Sequence, residues 1–220
     1  MSGNAVPLPP NPFPKTLHTV DLPADTALHR IYPIDYAGNA FNPTPTKLNR
    51  FSPIFDERGE IVPVLYAASS RAGAIYETLF HDAHVKGSRR LALPVKALNK
   101  YYGSWVTQRK LSLATLHAPD LARFGMTVDQ LTATNSMYYP QTARWAEAIH
   151  RSHSYIEGLE WTSYRASPDR AYMLFGDRVK VADLVCSGNE VLIRTDATLY
   201  DEVVECGRRV GVRVTHSKLP

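Results

Sequence analysis

Apolar and polar residues alternate with a period of about two in many short runs of the chain, which is the pattern of half-buried β-strands. The first clear run is ALHRIY at 27–32, where Arg30 lies on the face opposite His29 and Ile31. Further strand-like runs lie at 48–52, 61–67, 89–95, 102–108, 111–116, 156–164, 170–175, 190–194 and 212–215. The pattern predicts many short strands.

Helical periodicity occurs at separate places between these strands. Short helices are predicted from Pro119 and at 128–131, and longer ones at 140–153 and 198–210, the last ended by Gly211. We find neither a tandem repeat nor a regular strand-helix alternation. The sequence therefore predicts an α+β fold with mixed or antiparallel sheets and flanking helices, rather than a doubly wound parallel sheet.

The stretch VLYAASSRAGAIYETLFH at 64–81 combines a short strand, a Ser-Ser hinge and a helix. At about 100° per residue, one apolar stripe of the helix contains Ala72, Ile75, Tyr76, Leu79 and Phe80. Glu77 lies just off the edge of this stripe, and Tyr66 on the strand points toward the same region. Gly73 lies one turn before Glu77, so we expect another group, such as a ligand, to approach the helix backbone there. An isolated helical Glu is usually a surface residue, so the rest of the chain decides its role.

Composition is that of a soluble globular protein, with 220 residues, 44% hydrophobic and 21% charged. Residues 1–23 contain six prolines and predict an extended arm, and residues 24–220 predict a single domain. The arm is either a disordered leader or a segment that packs on a neighbouring surface through Leu8, Phe13, Leu17 and Val20, as in a contact with a partner or within a dimer. The first residues lack a signal-peptide pattern, and no apolar run is long enough to cross a bilayer, so cytoplasmic localisation is expected.

Several chemistries lack their signatures in this sequence. The net charge of +4 contains no long basic block, which argues against nucleic-acid binding, whereas arginines around a small anion would account for it. The motifs GxGxxG, GxxxxGK[ST], HExxH and GxSxG do not occur. Cys186 and Cys206 match no metal knuckle. His81, Asp82 and His84 could suggest a metal, but a solvated helix end explains them better, so no metal site is expected.

Four segments together resemble the RES domain family, which is named for its Arg, Glu and Ser. They are HRIY at 29–32, NRFSP at 49–53, the central stretch at 64–81 and GLEWTSYR at 158–165, and the likeness runs from about residue 27 to 195. The central stretch is the most specific, because a strand ending in Tyr-Ala and a helix with Ala-Ile-x-Glu recur together in that family. Family members usually have Gly-Arg-Trp where this chain has Asn49-Arg50-Phe51, and the loop 52–63 looks extended. These departures concern the entrance of the site more than its chemistry.

The resemblance implies a single RES-like catalytic domain with a fold similar to ADP-ribosyltransferases. It implies a toxin of a toxin-antitoxin pair that cleaves NAD⁺ by hydrolysis or phosphorolysis, or that transfers ADP-ribose to a target protein. NAD⁺ is then the substrate. The implied partner is an antitoxin that blocks the active site, with no direct nucleic-acid or membrane binding. A noncatalytic module that binds a nucleotide in the same pocket is a further alternative.

Six residues are the expected site. Glu77 is expected to stabilise the cation-like ribose, with Arg50 as the second catalytic residue. Arg30 and Arg50 suit the pyrophosphate, because an arginine fork forms paired, charge-assisted hydrogen bonds. Tyr66, and after it Tyr32, would stack on a ring of the dinucleotide. Ser163 would either bind a ribose hydroxyl, phosphate or carboxamide, or hold Glu77 in place.

Overall fold

The structure is a computed structural model, which describes residues 5–81 and 91–215. Many short strands are interspersed with a few helices, as the sequence predicts. The strands are β1 Thr19–Leu22, β2 Ala27–Pro33, β3 Ile54–Phe55, β4 Ile61–Val62, β5 Val64–Ala68, β6 Leu91–Pro94, β7 Lys100–Thr107, β8 Leu111–Thr115, β9 Gly158–Thr162, β10 Arg170–Phe175, β11 Leu184–Cys186, β12 Val191–Leu192 and β13 Val212–Thr215. The α-helices are α1 Arg71–Ile75, α2 Ala118–Ala122, α3 Val128–Leu131, α4 Tyr139–Ser152 and α5 Ala197–Arg209, with a π-helical turn at Tyr76–Phe80 and 3₁₀ turns at Val95–Leu98, Ser136–Tyr138 and Val181–Asp183.

One large mixed sheet organises the described part of the chain. Nine strands form it. Eight of them follow the order β1-β8-β9-β10-β5-β2-β7-β11, and the ninth, β12, which follows β11 in the sequence, pairs with β7 but lies off this path. Only β8 and β9 run parallel within this sheet, and its other described pairs are antiparallel. Two small sheets, β6 with β13 and β3 with β4, lie outside it. Helices flank the sheet, which confirms the α+β prediction.

The large sheet splits between β2 and β5. These strands pair at a single position, His29 with Ala68. By contrast, β2 pairs with β7 over seven positions, and β5 pairs with β10 over five. Ala68 is the last residue of β5, so the two strands could pair further only along the preceding residues of β5. They do not pair there, and the strands separate. The split leaves an opening in the middle of the sheet.

Buried apolar side chains form three clusters around the sheet. The first lies between the sheet and α4 and includes Trp145 and Trp161. The second lies under α1 and α5, and the third on the opposite face of β2 and β5. The central strands β5, β9 and β10 therefore have both faces covered over most of their length. None of the described helices is long and apolar enough to cross a bilayer.

The proline-rich arm packs against the first cluster. Val6 is buried, and the indole nitrogen of Trp145 donates a hydrogen bond to the Pro7 carbonyl at 2.7 Å. The Phe13 ring lies 6.1 Å from the Trp145 ring, centre to centre. Residues 19–22, at the end of the arm, form the strand β1. The described part of the arm is thus an ordered part of the same packed unit, and the alternative of a disordered leader does not hold for it.

Local structure differs from the prediction at several points. Residues 48–52 form a tight turn closed by a bridge between Asn49 and Ser52 instead of a strand. The turn is held from outside, because the Thr142 hydroxyl of α4 donates a hydrogen bond to the Arg50 carbonyl. The central helix is α-helical only to Ile75 and then widens into the π-helical turn. The short strands β1, β3 and β11 are not predicted from the pattern.

Candidate active site

A cavity of about 320 Å³ opens where β2 and β5 separate. Five of the six expected site residues line it, namely Arg30, Tyr32, Arg50, Tyr66 and Glu77. They come from β2, the turn at 48–52, β5 and the π-helical turn. The split in the sheet therefore brings together residues that are far apart in the sequence.

The sixth residue, Ser163, lies behind Glu77. Its side chain is fully buried, and its hydroxyl donates a hydrogen bond to Glu77 Oε1 at 2.6 Å. The Ser163 hydroxyl oxygen also accepts a hydrogen bond from the Ala166 backbone nitrogen at 3.3 Å, and the Ser163 backbone nitrogen donates one to the Asp169 carbonyl at 2.8 Å. The hydroxyl and the backbone nitrogen of Ser163 are thus both hydrogen-bonded within the protein. This geometry is the one expected if Ser163 holds Glu77 in place, and Ser163 is not among the residues that line the cavity.

The π-helical turn sets the position of Glu77. A π turn closes over five residues instead of four, and such turns are rare and frequent at functional sites. Glu77 is the second residue of this turn and is partly exposed, while Tyr76 and Phe80 on either side are buried. The wider turn therefore presents the carboxylate to the cavity while the aromatic neighbours remain in the core.

The start of the helix explains Gly73. The Ser70 hydroxyl caps the helix by accepting a bond from the Gly73 nitrogen at 2.9 Å and donates one to Asp169. A Cβ atom on Gly73 would lie 3.0 Å from the Ala68 Cβ and 3.3 Å from the Ser70 hydroxyl. The close approach thus comes from the end of β5 and the helix cap. The expectation of room for a ligand beside Gly73 is corrected, because the side chains of Ala68, Ser70 and Asp169 fill that space.

Arg50 is held from the α4 side of the cavity. Its Nη1 donates a hydrogen bond to the Thr134 carbonyl at 2.9 Å. Its guanidinium carbon lies 5.5 Å from the centre of the Tyr139 ring, within the range of a cation–π contact. These contacts orient the guanidinium in the cavity wall.

Arg30 lies on the opposite wall, on β2. Its Nη1 donates hydrogen bonds to the carbonyls of Gly38 and Ala40, and its guanidinium lies 5.7 Å from the Tyr32 ring centre. In the described part of the chain its buried Nε has no hydrogen-bond partner. Burial lowers the pKa of Arg30 to about 10, so the side chain is still cationic at neutral pH.

The two tyrosines offer different surfaces to a ligand. The Tyr66 hydroxyl accepts a bond from the Phe51 nitrogen at 3.1 Å and donates one to the Ser52 hydroxyl at 3.2 Å. Burial raises the pKa of Tyr66 to about 12, so the hydroxyl remains protonated. Tyr32 is only 2% exposed and donates its hydroxyl to Glu190. Tyr66 is thus the better placed of the two for stacking on a ligand ring.

The cavity also contains side chains that the sequence reasoning did not select. His29, Lys47 and Lys100 line it. Burial and the nearby Arg71 lower the pKa of His29, whose Nδ1 lies 2.7 Å from the Tyr102 hydroxyl. His29 belongs to the quoted HRIY segment and could have been found there. The lysines had no comparable signal, because single lysines in a loop and at a strand start are common.

Within residues 5–81 and 91–215 no group of three His, Cys, Asp or Glu side chains is arranged to hold a metal ion. Asp82 and His84 lie outside the described residues. Cys186 is exposed and Cys206 is buried, and both are free thiols.

A comparison with curated proteins found no match for this chain. The family model of the RES domain, in contrast, matches residues 27–196. The match covers most of the chain and includes all six expected site residues. The chain therefore belongs to the RES domain family.

Proposed function

We propose that this protein cleaves the nicotinamide–ribose bond of NAD⁺. The observation that carries the proposal is the Glu77 carboxylate, held at 2.6 Å by the buried Ser163 hydroxyl, in a cavity whose walls carry cationic side chains. Membership of the RES domain family supports an NAD⁺-related activity.

The reaction needs a stabilised cation more than a strong nucleophile. The bond between the ribose anomeric carbon and the nicotinamide nitrogen breaks, and nicotinamide leaves as a neutral molecule with the bonding electron pair. The ribose becomes cation-like, and a fixed carboxylate beside it lowers the energy of that state. Water then attacks the ribose and loses a proton, which gives ADP-ribose. Alternatively, phosphate attacks and gives ADP-ribose that carries the phosphate on the former nicotinamide-bearing carbon. Glu77 is the proposed stabilising group.

The rest of the substrate fits the opposing walls. Arg30 and Arg50 are proposed to bind the pyrophosphate from β2 and from the turn at 48–52, because each guanidinium is oriented by protein contacts before a ligand arrives. Tyr66 is proposed to stack on a ring of the dinucleotide. Its hydroxyl is already bonded within the protein, so the ring is what it offers.

A protein partner is proposed at the mouth of the cavity. Tyr36 lines the cavity and is 55% exposed, Leu48 lies between two lining residues and is 52% exposed, and Met137 lies two residues before Tyr139 and is 70% exposed. Apolar side chains this exposed around one opening suit a protein contact. An antitoxin covering them would close the site, and the protein would then act as the toxin of the pair. Leu48→Asp and Met137→Asp should weaken inhibition by the cognate antitoxin while nicotinamide release is retained. If the antitoxin inhibits both variants as strongly as it inhibits the wild-type protein, this part of the proposal is wrong.

The same exposed residues favour a second candidate, transfer of ADP-ribose to a target protein. In that reaction a side chain of the target replaces water or phosphate as the attacking group. The bond that breaks and the role of Glu77 are the same.

One experiment tests both candidates. Purified protein is incubated with NAD⁺ labelled in its adenylate half, alone and with a cell lysate, and free nicotinamide and labelled protein are measured. Free nicotinamide without labelled protein supports cleavage, and label retained on protein supports transfer. Glu77→Gln should abolish both signals, whereas the exposed Glu205→Gln should retain them. If the wild-type protein gives neither product, the enzymatic proposal is wrong and a noncatalytic nucleotide-binding role takes its place.

A further inference from the structure

Lys100 is a partly buried cation on a rigid wall of the cavity. It is the first residue of β7 and pairs with Pro33, at the far end of β2 from the single contact with β5. Its carbonyl accepts a hydrogen bond from the Ile193 nitrogen at 3.0 Å, which fixes the backbone at this point. The side chain lines the cavity.

A second lysine lies beside it. Lys47 belongs to the loop between β2 and β3 and lines the same cavity. Burial lowers the pKa of Lys100, and the positive charge of Lys47 lowers it further. Both ammonium groups therefore add positive charge to the same cavity.

Neither ammonium group has an ion pair or a side-chain hydrogen bond with the described residues. Other lysines do: the amine of Lys110 lies 2.8 Å from an Asp21 carboxylate oxygen, and that of Lys180 donates to the Asp177 carbonyl at 2.7 Å. Among the described residues, Glu77 is the one carboxylate that lines the cavity, and Ser163 already holds it. Within residues 5–81 and 91–215, the lysine pair thus has no counter-charge bound to it.

Such an arrangement costs free energy in the empty protein. A partly buried ammonium without a partner is poorly solvated, and a like charge beside it adds repulsion. A phosphate group between the two amines would remove both costs, because lysine binds phosphate as a point charge. Asn42 and Thr44, from the same loop as Lys47, also line the cavity and add polar side chains for the phosphate oxygens.

We infer that Lys47 and Lys100 form a phosphate-binding subsite in this cavity, separate from the Arg30 and Arg50 pair. The inference rests on the proposed function, because it assigns part of the same substrate or of its acceptor. The phosphate has three possible sources: the pyrophosphate of NAD⁺, the 2′-phosphate of NADP⁺, or inorganic phosphate that attacks the ribose.

Kinetics of nicotinamide release separate these sources. Wild type, Lys100→Met and Lys47→Met are assayed with NAD⁺ in phosphate-free buffer, with NADP⁺, and with NAD⁺ plus inorganic phosphate. A rise of about 10- to 100-fold in KM for NAD⁺ indicates the pyrophosphate, because the lost lysine–phosphate contact is a charge-assisted hydrogen bond. A rise confined to NADP⁺ indicates the 2′-phosphate, and loss of phosphate stimulation alone indicates the attacking anion. Lys100→Arg should recover most of the lost affinity. The control is Lys96→Met, since Lys96 is an exposed lysine that does not line the cavity. If both other Met variants show the same KM for NAD⁺, the same KM for NADP⁺ and the same stimulation by phosphate as Lys96→Met, the inference is overturned.

A binding measurement keeps the subsite testable without catalysis. Pyrophosphate should raise the melting temperature of the wild-type protein and of Lys96→Met, and it should raise that of Lys100→Met much less. If no nicotinamide is released from NAD⁺ or NADP⁺ but this difference is seen, the proposed reaction fails and the phosphate subsite stands. Equal shifts in Lys100→Met and Lys96→Met contradict the subsite, whatever the enzymatic activity.

Discussion

The hydroxyl of Ser163 lies 2.6 Å from a carboxylate oxygen of Glu77, although 86 positions separate the two residues in the chain. Ser163 is fully buried and Glu77 reaches the cavity, so we expect the serine to act on a ligand through the glutamate. This makes Ser163 a positioning residue in the proposed reaction, and the distinction can be measured.

Ser163→Ala should lower kcat for nicotinamide release by about 10- to 100-fold, because a hydrogen bond to a charged group is worth about 1.5–3 kcal/mol. KM for NAD⁺ should change less than threefold, since the hydroxyl does not line the cavity. Ser187→Ala, on an exposed serine, is the control and should leave both constants unchanged. A large rise in KM with kcat unchanged would show instead that Ser163 contacts the substrate.

Tyr66→Phe should cost stability more than binding. The substitution removes the hydroxyl that bonds Phe51 and Ser52, and we expect the free energy of unfolding to fall by about 1–2 kcal/mol. The ring remains, so KM for NAD⁺ should stay within about twofold of wild type. Urea unfolding and steady-state kinetics measure the two effects, with the exposed Tyr155→Phe as control. If Tyr66→Phe raises KM and leaves stability unchanged, the hydroxyl binds the ligand and this reading of Tyr66 is wrong.

Gly73→Ala should destabilise the protein by about 1 kcal/mol, even though alanine is the better helix former by about the same amount. The added methyl group would lie 3.0 Å from the Cβ of the fully buried Ala68, which has no room to move. Gly188→Ala is the matched control, because nothing lies within 4 Å of its added methyl group. KM should be unaffected in both variants. A rise in KM for Gly73→Ala alone would restore the idea of a ligand beside this glycine.

Stability should fall as the pH is lowered below about 6.5, the ordinary pKa of histidine, partly because of His29. Burial and the adjacent Arg71 lower the pKa of His29 in the folded protein, against the opposing charges of Asp169 and Glu202. The unfolded chain therefore binds the proton first, and protonation favours unfolding. Urea unfolding at pH 8 and pH 5.5 should show a smaller loss of stability for His29→Gln than for wild type. Equal losses in the two proteins would contradict this assignment.

Phe13→Ala should lower the free energy of unfolding by about 2 kcal/mol, somewhat less than for a fully buried phenylalanine. The ring packs edge-on against Trp145 and stacked on Phe124, so its loss opens a gap between the arm and α4. Leu8→Ala, on the same arm but 63% exposed, should cost much less. Chemical denaturation of both variants tests whether the arm is an ordered part of the domain in solution.

The local pattern of residues was enough to predict most of the longer strands, the last two helices and the α+β class. Alternation and helical periodicity depend on neighbours in the chain, and these elements bury the faces that the pattern indicates. The short strands β1, β3 and β11 were not predicted, because two to four residues show too little alternation. The turn at 48–52 was not predicted, because contacts from α4, which is distant in sequence, hold it.

For the candidate site, the sequence by itself determined the residue types and the family, through four short segments around Arg30, Arg50, Glu77 and Ser163. Only the tertiary structure decided that β2 and β5 separate after one contact, which opens the cavity between these segments. It also decided that a π-helical turn presents Glu77, that Ser163 lies behind it, and that Lys47 and Lys100, neither of them paired with another described residue, line the same cavity. The reason is physical: strand order and the packing of one element on another are set by contacts between residues far apart in the chain, which no local period encodes.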